Sequence, residues 1–182
     1  PGTHDLALGA ALLDALTDPA ASGTVAVPRF DKALDDRCPE AAWDRVAAPL
    51  DVVLFEGWCV GASAQGAAAL APPCNALEVE EDADGRWRRY VDAQLAGPYA
   101  ALFARLDALV MLRVPDFEAV RRWRGEQEAR LRATRGGGMD DAAVDRFVAH
   151  YERVTRHQLR TLPARADLCL DLDTDHAIVA VS

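Results

Sequence analysis

The run Asp51-Val52-Val53-Leu54-Phe55-Glu56-Gly57-Trp58 limits the fold more than any other stretch of this chain. Four apolar residues stand in a row, two of them β-branched, which is the pattern of a strand buried on both faces of a parallel sheet. The run stops at an acid and a glycine. Open α/β sheets take ligands at the carboxyl ends of their strands, so Glu56 stands where chemistry is done. Such an acid orients Mg²⁺ or its waters in nucleotide sites. On spacing alone, a strand that ends in a polar residue before a turn is an equally good reading. The usual companion of such an acid, a G-x-x-x-x-G-K-[ST] phosphate loop, does not occur in the 182 residues.

The rest of the chain extends the same pattern. The spacing predicts a helix over 5–16, a short strand over 24–30 and an irregular charged excursion over 31–49. After the strand at 51–56 come a loop (61–75) and a helix (86–106) interrupted at Gly97-Pro98. A second buried strand is predicted at 107–114, then an arginine-rich helix at about 116–133, broken by Gly136-Gly137-Gly138. A further helix runs from 140 to 162, followed by strands at 167–173 and 177–181. Strands alternating with helices of crossover length predict a single α/β domain with a mainly parallel sheet covered on both faces.

With Lys+Arg 20 against Asp+Glu 29, the formal charge is −9, which argues against nucleic acid as a partner. No apolar run reaches membrane-spanning length, so no membrane partner is expected. Cys38, Cys59, Cys74 and Cys169 are widely spaced with no C-x-x-C, which predicts reduced thiols and a cytoplasmic setting. A start at Pro1 without Met points to a trimmed chain.

Four groups of residues could carry chemistry besides Glu56. His4 and Asp5, ahead of the first helix, could line a substrate pocket, although Thr3 or Asp5 also suits a plain N-cap. Arg29, Lys32 and Arg37 flank a strand end and could hold a small anion, or form a solvated charged loop. Arg121 and Arg124 share a helix face, with Arg122 beside them, and guanidinium forks suit a transferring phosphoryl group. Those same arginines could equally form i,i+4 pairs, Arg122–Glu126 and Arg124–Glu128, worth about 0.2–0.5 kcal/mol each. The stretch from His150 to His157 reads mainly as core packing with a polar edge.

Six stretches taken in order resemble a known family: PGTHD, VPRFDKALDDR, DVVLFEGW, the W-x-x-Y of Trp87 and Tyr90, RRWRGEQE and FVAHYERVTRH. Together they resemble the D-glycerate 3-kinase-like P-loop kinases, relatives of uridine kinase, phosphoribulokinase and pantothenate kinase. The resemblance implies a P-loop NTPase-like three-layer α/β/α fold, with the N-terminal βα unit or units missing and a lid over about 116–145. It implies ATP and Mg²⁺ as cofactors and a small-molecule hydroxyl as acceptor, D-glycerate first. Alternatives are a nucleoside, pantothenate or a sugar phosphate as acceptor, or a non-catalytic regulatory protein on a degenerate kinase fold. Residue by residue, the resemblance makes Glu56 the metal-orienting acid and sets Asp5 and His4 toward the acceptor. Arg29, Lys32 and Arg37 fall in the substrate-side loop. Arg121, Arg122 and Arg124 match lid arginines that meet the ATP phosphates, with Arg121 closest to the chemistry. The family's phosphate loop and catalytic base are absent from these residues, so the chain as given is expected to be inactive alone.

Overall fold

The computed structural model describes every residue except Lys32, Ala33, Asp35 and Gly136, and all side chains of the others except that of Arg135. It divides into two compact units, Thr3–Trp58 and Cys59–Ser182, the latter joined by Pro1–Gly2.

In the smaller unit, helix α1 (Leu6–Thr17) begins where Asp5 accepts a hydrogen bond from the Leu8 N–H at 3.1 Å. That contact satisfies one of the four N–H groups orphaned at a helix start. Strand β1 (Gly23–Val27) is followed by a short ribbon, β2 (Phe30–Asp31) with β3 (Asp36–Arg37), and then β4 (Asp44–Ala48). β1 and β4 pair antiparallel with Val25 opposite Val46, and β2 and β3 pair with Phe30 opposite Arg37. Helix α1 packs on β1 and β4. The stretch expected to be an irregular excursion is therefore half of a double hairpin, held by the Cys38 N–H on the Arg29 carbonyl at 2.8 Å and the Trp43 indole N–H on the Cys38 carbonyl at 2.7 Å. Sequence period could not show this, because β2 and β3 are two residues each, too short to carry an alternation.

The larger correction concerns 51–56. These residues form no strand here, and Val52 and Leu54 are 80% and 90% exposed. An apolar run reports a segment that gains by burial. A strand also needs a ladder partner for its N–H and C=O groups, and none among the described residues pairs with it.

The larger unit opens with short helices α2 (Ala67–Leu70) and α3 (Ala76–Glu81), then α4 (Arg86–Gln94). At Pro98 the helix passes through one π-type turn, Leu95–Tyr99, into α5 (Ala100–Phe103), the interruption expected from Gly97-Pro98. Strand β5 (Val110–Arg113) leads into the helical hairpin α6 (Phe117–Arg135) and α7 (Asp141–Thr161), then β6 (Leu168–Leu172) and β7 (Ile178–Val181). Asp116 and Asp140 start the two long helices by accepting from the N–H groups of Ala119 and Ala143, at 2.7 and 2.8 Å.

The sheet order is β5-β6-β7, with β5 parallel to β6 and β7 antiparallel to it. The α6–α7 hairpin supplies the long crossover that a parallel pair requires, whereas the few residues between β6 and β7 allow only a reversal. Of the four strand pairings among the described residues, one is parallel, so the expected mainly parallel sheet is not what these residues form. Nor is the sheet covered on both faces. Met111 and Cys169 pack with Leu162, whereas Val110 and Leu112, on the opposite face of β5, are 53% and 62% exposed. Gly61 has a positive φ of 76°, and a Cβ there would stand 2.9 Å from Leu109 Cδ2 and 3.0 Å from Leu162 Cδ1, so only glycine suits this close approach. A second cluster, Phe117, Val144 and Val148, joins α6 to α7.

Candidate active site

Within the smaller unit the fold brings two of the expected substrate-side residues together. Asp5 caps α1 with Oδ1, and its Oδ2 accepts from Arg37 Nη1 at 3.0 Å. Arg37 ends the β2–β3 ribbon, so a helix start and a ribbon end share one ion pair. Arg29, between β1 and β2, donates Nε and Nη2 to the two oxygens of Asp44 at 2.9 and 3.0 Å. That pairing raises the already high pKa of Arg29. His4 is exposed, its carbonyl accepts from the Leu6 N–H at 3.1 Å, and desolvation pulls its imidazole below the ordinary value. Lys32 lies outside the described residues. Glu56 is exposed in the irregular stretch that follows β4.

No group of three or more His, Cys, Asp or Glu residues placed to hold a metal ion occurs among the described residues. Kinase-type Mg²⁺ is bound by one or two carboxylates together with substrate phosphates and water, not by a closed protein cage. A single exposed carboxylate such as Glu56 fits that donor set.

The arginines of α6 occupy the larger unit. Arg121 donates Nε and Nη2 to Asp145 of α7 at 2.5 and 2.8 Å, which raises the arginine's pKa and lowers that of the acid. Arg122 is exposed. Arg124 lies over the Phe147 ring, 4.7 Å from its centroid, and bonds Glu128 and Gln127. The i,i+4 pair Arg124–Glu128 is therefore formed. Glu128 is buried, and its other oxygen accepts from the Met139 N–H at 2.9 Å, while Arg132 donates to the Met139 carbonyl, so the turn between α6 and α7 is tied to α6. The same face that offers guanidinium groups thus also builds the helical hairpin.

Several polar contacts carry no sequence signature. Arg153, in the stretch expected to be core with a polar edge, donates to both Glu78 oxygens and to the carbonyls of Ala69 and Pro72, tying α2, α3 and the segment between them to α7. Burial pushes the Glu78 pKa up, but the Arg153 and Cys74 hydrogen bonds outweigh it and leave it lowered. Beside Glu78, burial pushes the Cys74 thiol up to about 12. Arg88 and Asp82 form a buried pair joining α2 to the turn before α4. Arg113 and Asp171 pair across β5 and β6. The three ion pairs join residues 6, 58 and 75 positions apart, separations that periodicity cannot read.

No protein-family model matches the chain. Among curated proteins, D-glycerate 3-kinase, chloroplastic, of Arabidopsis thaliana is 32% identical over 187 residues, covering 96% of this chain and 39% of that protein. The chain is thus similar to this D-glycerate 3-kinase over nearly its whole length. The uncharacterized kinase mug58 of Schizosaccharomyces pombe is 30% identical over 188 residues, covering 96% of the chain and 64% of its own length. The chain thus spans 39% and 64% of these two relatives. Among solved structures, the YGR205w protein superposes with a TM-score of 0.71 at 22% identity, over 100% of this chain and 65% of that one. D-glycerate 3-kinase from Cryptococcus neoformans superposes with a TM-score of 0.69 at 23% identity, over 100% and 67%. At those identities the structures speak for the α/β fold. No described helix is long and apolar enough to cross a membrane.

Proposed function

We propose that the protein is part of an ATP-dependent kinase that transfers the γ-phosphoryl group to a hydroxyl of D-glycerate. The observation that carries this reading is the 32% identity to an Arabidopsis D-glycerate 3-kinase across 96% of the chain. The reading includes the P-loop NTPase-like three-layer fold, with the phosphate cradle and catalytic base supplied by sequence outside these 182 residues. It keeps the chain in one kinase domain with a lid over about 116–145, and places the enzyme in the cytoplasm, where four unpaired cysteines stay reduced.

Phosphoryl transfer demands little covalent chemistry of a protein; positioning and charge stabilisation supply most of the catalysis. Mg²⁺, when bound, neutralises charge building on the β- and γ-phosphates, and Glu56 is the residue assigned to hold it or its waters. Asp5 and His4 orient the acceptor. Arg37, held by Asp5, offers its remaining donors to the acceptor's carboxylate, and Arg29 and Lys32 are assigned to add positive charge on the acceptor side. Arg121, Arg122 and Arg124 meet the phosphates of ATP, with Arg121 kept in plane by Asp145.

The test is ADP release by the full-length protein with a panel of acceptors: D-glycerate, nucleosides, pantothenate and sugar phosphates. Mg²⁺-dependent turnover fastest on D-glycerate is expected. A preference for another acceptor moves the assignment within the kinases, and no turnover on any acceptor overturns the kinase reading in favour of a binding protein.

A further inference from the structure

Arg113 ends β5, and Asp171 stands opposite it in register on β6. Nε and Nη2 of Arg113 donate to the two carboxylate oxygens at 2.5 Å each. That occupies one edge of the guanidinium. The second edge, Nη1 with the remaining proton of Nη2, makes no hydrogen bond among the described residues.

The pair stands at the carboxyl ends of two parallel strands, the place where α/β sheets take ligands. Solvent reaches it, with side-chain exposures of 39% and 22%. Val114, Pro115 and Asp116 alone separate Arg113 from α6, so this guanidinium and those of Arg121, Arg122 and Arg124 come from one continuous stretch. Arg121 is held in the same manner, Nε and Nη2 on a carboxylate with the second edge open. Arg113 and Asp171 also top the face that buries Met111 and Cys169, so they have a packing role. Packing does not require an open second edge at the mouth of the sheet.

We propose that Arg113 is an anion-binding residue, taking two oxygens of a phosphate group on its second edge while Asp171 fixes the plane of the guanidinium. The carboxylate of Asp171 cancels most of the long-range attraction, so recognition rests on short-range geometry and favours a tetrahedral oxyanion over a halide. The inference rests on the kinase reading only in naming the anion as the phosphate chain of a nucleotide.

The experiment is calorimetric titration of the full-length protein with ATP and with inorganic tripolyphosphate, for wild type, Arg113→Met and Arg113→Lys. The Lys variant keeps the aliphatic stem, the charge and one bond to Asp171, but lacks the second edge, so it decides the matter should the Met variant fail to fold. Expected are losses of at least tenfold in affinity for Arg113→Met and fivefold for Arg113→Lys, with chloride a poor competitor in wild type. A smaller loss in the folded variant, or a wild type that binds no tripolyphosphate, overturns the inference. Turnover is followed separately. Wild-type phosphorylation of D-glycerate with Arg113→Lys affinity unchanged defeats this inference and spares the kinase reading; Arg113-dependent anion binding with no turnover does the reverse.

Discussion

Asp5 and Arg37 are joined by a single 3.0 Å hydrogen bond, although one begins a helix and the other ends a ribbon 32 residues later. The acid has a second duty, since its other oxygen caps α1. Substitution should separate the two roles. Asp5→Ala is expected to cost about 1 kcal/mol through the lost cap. Arg37→Met, at a half-exposed pair, should cost less than about 1 kcal/mol. Both should raise the KM for D-glycerate at least tenfold in the full-length protein. Steady-state kinetics beside urea unfolding checks this, and an unchanged KM in Arg37→Met removes Arg37 from the acceptor site.

Glu56 makes the opposite prediction about stability. It is exposed and outside any strand. Glu56→Gln should change unfolding free energy by no more than about 0.5 kcal/mol, as for surface substitutions generally. Mg²⁺-dependent turnover should fall by several orders of magnitude. Retained turnover would refute its assignment as the metal-orienting acid.

The buried pair Arg88–Asp82 is where stability is concentrated. Arg88 donates Nε to the Leu70 carbonyl at 2.7 Å and Nη1 to the Asp82 carbonyl at 2.6 Å, and Asp82 accepts from the Trp87 N–H at 2.7 Å. Arg88→Met leaves a buried carboxylate without its counter-charge and takes a donor from the carbonyls of Leu70, Ala71 and Asp82. A loss of about 3–5 kcal/mol is expected by denaturant titration. A loss below about 1 kcal/mol would show that α2 and the turn before α4 are held by other contacts.

His157 sets an acid limit. Its Nε2 lies 3.2 Å from Ser63 Oγ, and burial holds its pKa below the ordinary value. The neutral ring is therefore favoured in the folded state, and the unfolded state binds the proton more readily. Stability is fully present above the ordinary histidine range and falls as pH drops from about 6.5 toward the lowered folded value. His4 is shifted the same way and adds to the same window. The expected result is a Tm that declines between about pH 7 and 5. The decline should be shallower in His157→Gln. An identical slope in that variant would assign the effect elsewhere.

Much of the fold was legible from spacing. Helix α1, the interrupted helix at Pro98, the α6–α7 hairpin and strands β5, β6 and β7 all fall where periodicity and breakers put them. Each is decided by local physics: apolar residues three or four apart, an Asp ahead of a first turn, a Pro that removes a donor. The misses are the non-local features. Residues 51–56 have the composition of a buried strand but no ladder among the described residues. Strand β1 falls within the strand expected at 24–30, but its partner β4 was hidden in a stretch that read as an irregular excursion. The candidate arginines were visible by type, and Arg113, which the spacing did not single out, was not.

The sequence alone determined the longer helices, strands β1, β5, β6 and β7, and which charged residues stand at their ends, because propensity and capping act over a few neighbouring residues. Tertiary structure alone decided that β7 runs antiparallel to β6, that the sheet bearing Val110 and Leu112 leaves one face open, and which acid holds each arginine. Asp145 meets Arg121 across 24 positions and Asp171 meets Arg113 across 58. Contacts at that separation are selected by how packed elements bring backbones together, against the entropy of closing the loops between them, and no local pattern encodes that choice.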